Sequence, residues 1–167
     1  GRVAGSVAHA AGSPFLGNFS RSRKDRRALR NSVSVGLTNR KSSRNAASSA
    51  VDTDFTVKLC DVAPDGTAIN ITEGIIRARY RESLEHEVIL EPHRIYEFSI
   101  AAGVACHRFE AGHRVRVEVS SSRFNEFDRN LNSGEPQGTG DNPVPAAQSI
   151  HHSTDHPSHI TLPLVPR

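Results

Sequence analysis

Tryptophan and methionine are absent from this 167-residue chain, and aromatic residues make up only 5% of it. A hydrophobic core must therefore come mainly from valine, isoleucine and leucine, together with a few Phe and Tyr positions. No run of about 18 apolar residues occurs, which argues against a membrane-spanning segment. The two cysteines, Cys60 and Cys106, could form one disulfide. We expect instead two free thiols buried on strands.

The sequence also lacks the short motifs that commonly mark an active site. It has no glycine-rich phosphate loop and no Gly-x-Ser-x-Gly elbow that would expose a nucleophilic serine. The serines at 120–122 lie near His107 and His113 in sequence. Serine-rich strand ends are common, so we do not expect a nucleophilic triad there.

Two groups of residues have side chains that metal ions use. The tail contains Asp155 and several histidines, and three such groups can hold zinc; the histidines are His151, His152, His156 and His159. Asp52 and Asp54 flank Thr53, so on a strand their carboxylates point the same way and could bind calcium or share a proton. We favour a histidine-rich surface loop and two aspartates that accept backbone N–H bonds. The prediction is that this chain holds no catalytic, cofactor-binding or metal-binding residue and needs no cofactor.

Charge divides the chain into two unlike parts. Residues 1–50 carry ten Lys or Arg against one acid, a net charge of +9, whereas residues 51–167 have a net charge of −6. We expect a basic segment of low order over residues 1–45, out of frame or foreign, and one domain over residues 46–167. A rival interpretation is a disordered basic arm that binds RNA or anionic membrane. We favour no nucleic-acid and no membrane partner, and a cytoplasmic location.

Beyond residue 50, apolar residues alternate in short runs separated by turn residues, which is typical of strands. We predict a hairpin around the turn at residues 63–66, and a row of three guanidinium groups on one sheet edge from Arg77, Arg79 and Arg81. The predicted strands are 55–59, 69–71, 75–81, 95–100, 114–120 and 160–164. This spacing favours an all-β antiparallel sandwich of the jelly-roll kind.

Several segments, in order, resemble the C-terminal domain of the X-Pro dipeptidyl-peptidase and cocaine-esterase-like (CocE/NonD) serine hydrolases. These segments are 52–66 (DTDFTVKLCDVAPDG), 74–81 (GIIRARYR), 109–117 (FEAGHRVRV), 120–124 (SSSRF), 127–134 (FDRNLNSG) and 156–163 (HPSHITLP). The resemblance runs from about Ala46 to the C-terminus.

The resemblance implies a galactose-binding-like jelly roll that packs against an α/β-hydrolase domain in cis and can take part in a homo-oligomer. The family's nucleophilic Ser, its Asp and its His lie in that other domain, so no catalytic residue is carried over to this chain. Dipeptidyl-peptidase or acyl-ester hydrolase activity would belong to the whole enzyme. The alternative is a stand-alone β-sandwich module that binds carbohydrate or protein.

Three structural expectations accompany the resemblance. Gly112 should form a turn before the strand at 114–120, and Arg114 and Arg116 should be available to carboxylates such as Asp128. The sandwich should also be incomplete, because the sequence before residue 46 shows no strand pattern. The apolar row that begins at Phe55 would then lie beside an open edge.

Overall fold

A computed structural model of the chain describes residues 9–10, 33–37 and 41–162, with side chains from Asn45 onward. This described part is all β, with short irregular loops and a single turn of 3-10 helix at Ala78–Tyr80. None of its helices is long and apolar enough to cross a membrane. The strands are β1 (His9–Ala10), β2 (Val33–Leu37), β3 (Lys41–Ser48), β4 (Asp54–Val62), β5 (Ala68–Arg77), β6 (Tyr96–Ala101), β7 (Ala105–Phe109), β8 (Arg114–Ser120) and β9 (Gln148–His151).

The strands form antiparallel sheets arranged as a sandwich, which confirms the predicted fold class. One sheet has the order β5-β4-β8, a second has the order β1-β9-β3-β6, and β2 pairs with β7. Strand β4 is bonded on both sides, to β5 and to β8. The expectation that its apolar row borders an open edge is therefore wrong.

The hydrophobic core lies between the sheet that contains β4 and the sheet that contains β6. Phe55 and Phe98 meet there with ring centroids 4.7 Å apart, and Val57 and Ile100 are fully buried beside them. A smaller cluster forms around Leu59 and Phe109. Full burial of each of these side chains contributes roughly 1.5–3 kcal/mol, and three of them, Phe55, Phe98 and Phe109, are aromatic.

The predicted hairpin is present between β4 and β5. Its turn is closed by a hydrogen bond from the Gly66 N–H to the Ala63 carbonyl of 3.0 Å, and Gly66 has a φ of 97°, which favours glycine. The Thr67 N–H donates to the Asp65 carboxylate at 2.8 Å. This bond lowers the pKa of Asp65.

The two strands predicted at 69–71 and 75–81 are a single strand, β5, which ends at Arg77. Gly74 does not break it. A Cβ at this position would lie 1.9 Å from the carbonyl oxygen of Ala101, so the glycine allows β5 to pass directly against the end of β6. Because β5 ends at Arg77, Arg79 and Arg81 lie outside the strand. The predicted row of three guanidinium groups on one sheet edge therefore does not form.

Strand β8 has the predicted bounds, and Gly112 before it has a φ of 87°. Burial along its valines is graded, because Val119 is 8% exposed and Val115 is 38% exposed. Alternation in the sequence specified the face of the strand. Distance from the centre of the sandwich determined how deeply each valine is buried.

Pairing begins earlier in the chain than the sequence indicated. Strand β2 pairs with β7, and β3 starts at Lys41 and pairs with β6 and β9. The expectation that nothing before residue 46 can pair is wrong for these two ranges. From Ala46 onward, the core-facing residues near the end of β3 are small ones such as Ser48, which explains its weak apolar signal. His9–Ala10 also pair, with β9, and residues 1–8, 11–32 and 38–40 of the basic segment lie outside the described residues.

The end of the domain also differs from the prediction. At this end of the chain, β9 is the strand that pairs with β3. Residues 160–162 do not form a strand. Ile160 and Leu162 instead pack against the smaller cluster. Residues 163–164, the remainder of the predicted last strand, lie outside the described part.

Candidate functional site

Four charged side chains meet where β4 begins and β5 ends. The antiparallel register places Asp54 opposite Arg77. Asp52 precedes β4 by two residues, and Arg79 follows β5 by two residues, in the 3-10 helix. The hairpin therefore brings an Asp-x-Asp sequence and an Arg-x-Arg sequence side by side.

The two pairs have charge-assisted hydrogen bonds of good geometry. Arg77 donates from Nε and from Nη2 to the two carboxylate oxygens of Asp54, at 2.9 and 3.0 Å. Arg79 Nε donates to Asp52 Oδ2 at 2.7 Å, and the Arg79 backbone N–H donates to Asp52 Oδ1 at 3.1 Å. Asp52 and Arg79 are 0% and 3% exposed. The second pair is thus a buried ion pair.

Asn130 joins both aspartates. Its Nδ2 donates to Asp52 Oδ2 at 2.9 Å and to Asp54 Oδ1 at 2.8 Å, and its Oδ1 accepts the Asn132 N–H at 2.9 Å. Asn130 belongs to the long irregular connection at residues 121–147, between β8 and β9. The Asn130 amide therefore bonds this connection to both aspartates of the hairpin.

The arginines extend the network to two loops. Arg79 donates to Glu87 at 3.1 Å and to the Glu135 carbonyl at 2.9 Å. Arg77 also pairs with Asp128 at 3.2 Å. Residues of this network, among them Arg77, Arg79 and Asp128, line a cleft of about 230 Å³.

The charges in this network are fixed. Hydrogen bonds from Arg77 to Asp54 and Asp128 raise the pKa of Arg77. Burial opposes the charge of Arg79, but its bonds with Asp52 and Glu87 raise its pKa overall. Since an arginine near carboxylates stays protonated, neither guanidinium group exchanges protons at neutral pH. The arrangement suits the positioning of loops rather than acid–base chemistry.

The sequence predicted that Asp52 and Asp54 accept backbone N–H bonds. Asp52 does accept one, from Arg79, but guanidinium groups and Asn130 supply most of the bonds to both residues. The paired spacings of aspartate and arginine, combined with the hairpin, were a signal for this network. Asn130 lies in segment 127–134, one of those that carry the resemblance, but no local pattern indicated that it joins this network from across the fold.

The serines and histidines that could suggest a triad are not brought together. Asp61 accepts hydrogen bonds from both imidazoles, from His107 Nε2 at 2.8 Å and His113 Nδ1 at 2.9 Å. Ser120 instead donates to the Ser122 carbonyl at 3.3 Å. The two imidazoles and Asp61 thus link β7 and β8 to β4.

The metal and cysteine candidates are also located. His151 and His156 meet edge to face with ring centroids 5.9 Å apart. Within residues 45–162, no three His, Cys, Asp or Glu side chains are grouped so as to hold a metal ion. Both cysteines are free; Cys60 is buried, but Cys106 is exposed, which corrects the prediction of two buried thiols. Burial raises the pKa of the Cys60 thiol.

The sequence predicts that Arg114 and Arg116 are available to carboxylates such as Asp128 or to the partner domain; the pairing with Asp128 is wrong, and contact with the partner domain stays a prediction. Asp128 pairs with Arg77, whereas Arg116 pairs with Glu118 of its own strand at 3.3 Å. The third arginine of the predicted row, Arg81, lies over the ring of Tyr96 at 4.5 Å from its centroid.

The family of X-Pro dipeptidyl-peptidase C-terminal non-catalytic domains matches residues 44–161. The chain belongs to this family. Its match to cocaine esterase from Rhodococcus sp. (strain MB1 Bresler) is 46% identical over 123 residues, which is 72% of this chain and 21% of the esterase. The chain thus spans about a fifth of that relative.

Solved structures with this domain fold include other hydrolases. An aminopeptidase from a marine sediment archaeon, Thaumarchaeota archaeon, superposes with a TM-score of 0.77 at 26% identity, over 96% of this chain and 26% of the aminopeptidase. An alpha-amino acid ester hydrolase superposes with a TM-score of 0.72 at 27% identity, over 95% of this chain and 25% of the hydrolase. A CocE/NonD family hydrolase from Staphylococcus aureus, at 14% identity and a TM-score of 0.69, shares the fold over 97% of this chain and 33% of its own.

Proposed function

We propose that this chain is a structural domain of a serine hydrolase, and that it packs against an α/β-hydrolase domain carried elsewhere in the same polypeptide. The whole enzyme would hydrolyse acyl esters or release dipeptides. The non-catalytic description of the matched family carries this proposal. The structure supports it, because the chemical groups with catalytic potential are already used in holding the sandwich together.

The engagement of these groups has a chemical consequence. A general base must be free to accept a proton from a nucleophile within hydrogen-bond reach. Asp61 binds one ring nitrogen of both His107 and His113, but the hydroxyl of the nearby Ser120 bonds the Ser122 carbonyl rather than either ring. The aspartates at 52 and 54 are neutralised by arginines. The domain would therefore support catalysis by shape and by docking, and contribute no site residue, cofactor or metal.

The alternative, a module that binds carbohydrate, needs exposed aromatic rings on which sugars stack. Both tyrosines are engaged within the fold. Tyr80 donates its hydroxyl to Glu87 at 2.6 Å, and the ring of Tyr96 lies between Arg81 and Arg94. This arrangement favours the hydrolase-domain proposal.

Two proteins test the proposed function. The isolated chain should show no turnover of chromogenic Xaa-Pro substrates or short acyl esters, because it would lack the nucleophile and oxyanion hole. A chimera in which residues 44–161 replace the matching segment of the Rhodococcus cocaine esterase should retain esterase activity. Turnover by the isolated chain, blocked by a serine-directed phosphonate that labels the serines at 120–122, would contradict the proposal.

The origin of the basic segment is a separate proposal. We propose that its residues outside β2 and β3 are foreign or out of frame. Translating the gene in its two other frames should then reveal alternating apolar strands. Failure to find them would contradict this proposal. Salt-dependent retention of residues 1–50 on heparin would instead favour a basic arm that binds polyanions.

A further inference from the structure

The first part of the long connection after β8 is held against β5 at two points. Arg123 Nε pairs with Glu73 at 3.0 Å, and Asp128 pairs with Arg77 at 3.2 Å. Glu73 and Arg77 are four residues apart on one strand, so their side chains lie on the same face. We call residues 123–129 the clamped loop.

Two side chains of the clamped loop are not used by the domain. Phe124 is 64% exposed, although it immediately follows the anchor Arg123. Arg129 is exposed and immediately follows the anchor Asp128, and its guanidinium has no hydrogen-bond or ion-pair partner among the described residues. Each anchoring residue is thus followed by an exposed residue, and Arg129 also borders the cleft described above.

Hydrogen bonds within the clamped loop and at the residue after it hold the loop in one conformation, which favours binding. The Glu126 and Phe127 N–H groups both donate to the Arg123 carbonyl, at 3.1 and 2.9 Å, and Asn130 is bonded to the buried aspartates. A surface that is already ordered loses little conformational entropy when a partner binds. Aromatic side chains and arginine are enriched among the residues that contribute most to protein interfaces.

The chain covers 26% of the aminopeptidase and 25% of the alpha-amino acid ester hydrolase described above. In those proteins, about three quarters of the polypeptide therefore lies outside the matched domain and is available to contact it. Phe124 and Arg129 are five positions apart in the sequence, so their Cα atoms lie within about 18 Å of each other. That distance fits within one interface of ordinary size.

We propose that Phe124 and Arg129 dock this domain onto the hydrolase portion of the same polypeptide. Phe124 fills an apolar depression of that portion, and Arg129 pairs with a carboxylate beside it. This inference rests on the proposed function and adds to it the surface and the chemistry of the contact. Arg129 lies at the cleft around Arg77 and Arg79, and the pairing of Arg77 with Asp128 holds the loop that carries it.

The test compares each substitution in two settings, the isolated chain and the cocaine esterase chimera described above. Phe124→Ser and Arg129→Gln should each lower the thermal midpoint of the chimera by several degrees and accelerate loss of its esterase activity on heating. The same substitutions should leave the midpoint of the isolated chain unchanged, because neither side chain contacts the core. A structural role within the domain would destabilise both proteins equally.

Matched controls lie at the opposite end of the same sheet. Ile69 is 60% exposed, and Arg114 has no ion-pair partner among the described residues. In the register of β4, both flank its far end, beside Asp61 and Val62. Ile69→Ser and Arg114→Gln should leave both proteins unchanged.

The outcomes separate the two proposals. If the parent chimera is active and folds cooperatively but neither loop substitution affects it, the proposed docking surface is wrong and the proposed function stands. Equal effects of the loop and control substitutions would also overturn it. A parent chimera that folds but has lost esterase activity would contradict the proposed function, and the docking surface with it.

Discussion

Replacing Asp52 by Asn tests whether the Arg79 guanidinium depends on a buried counter-ion. The substitution keeps the shape of the side chain but removes its charge. Arg79 is 3% exposed and bonds Asp52 at 2.7 Å. Removal of one partner from a buried pair leaves an uncompensated charge, which typically costs about 3–5 kcal/mol.

The other contacts of Arg79 set the size of the effect. Its bond to Glu87 involves a carboxylate that is 45% exposed, so water competes for that interaction. The bond to the Glu135 carbonyl satisfies a donor but supplies no counter-charge. We therefore expect a loss near the middle of that range, about 4 kcal/mol, which is a large fraction of the 5–15 kcal/mol typical of a domain.

Urea denaturation followed by circular dichroism measures this loss as a fall in the unfolding midpoint at constant slope. Asp128→Asn is the matched control, because it makes the same chemical change at a residue that is 57% exposed in the same network. The control should cost no more than about 1 kcal/mol. If Asp52→Asn costs no more than this control, the conclusion that the Arg79 charge depends on Asp52 is wrong.

Three further changes have defined outcomes. Gly74→Ala places a Cβ 1.9 Å from a backbone oxygen and should strongly lower the thermal midpoint; an unchanged midpoint would contradict the close approach of β5. Iodoacetamide should modify the exposed Cys106 in the native protein but Cys60, whose pKa is raised by burial, only after unfolding, and mass spectrometry should show one adduct and then two. The hydrogen bond from Tyr80 lowers the pKa of Glu87 in the folded protein. The interaction therefore stabilises the fold at pH values above the pKa of Glu87 in the unfolded chain, and this stabilisation is lost as the pH falls through the lower pKa of the folded state. NMR titration of the Glu87 carboxyl should show a midpoint that rises in Tyr80→Phe; a midpoint that stays in place would refute this assignment.

Strong local patterns could be read from the sequence. The alternation at 114–120 and the turn before it gave β8 with its bounds, because one face of that strand is apolar and the other polar. The hairpin turn was equally clear, since proline and glycine have specific backbone preferences. The quoted segments also sufficed to recognise the family.

The rest of the fold depended on contacts that local patterns do not record. The end of β3 is buried with small residues, whose alternation carries little hydrophobic signal. The role of Gly74 requires knowledge of where Ala101 lies. Asn130 reaches aspartates that are more than 70 residues away in sequence, and only the assembled sandwich brings them within hydrogen-bond distance.

The pairing of Asp54 with Arg77 also bears on how the hairpin selects its alignment during folding. The register of β4 and β5 already shifts once, at a bulge between Leu59 and Cys60. A further slip of one residue at the open end would place Asp54 opposite Ile76 or Ala78, and a buried carboxylate would face an apolar side chain. The charge pair thus penalises the misaligned hairpin and helps to specify the observed register.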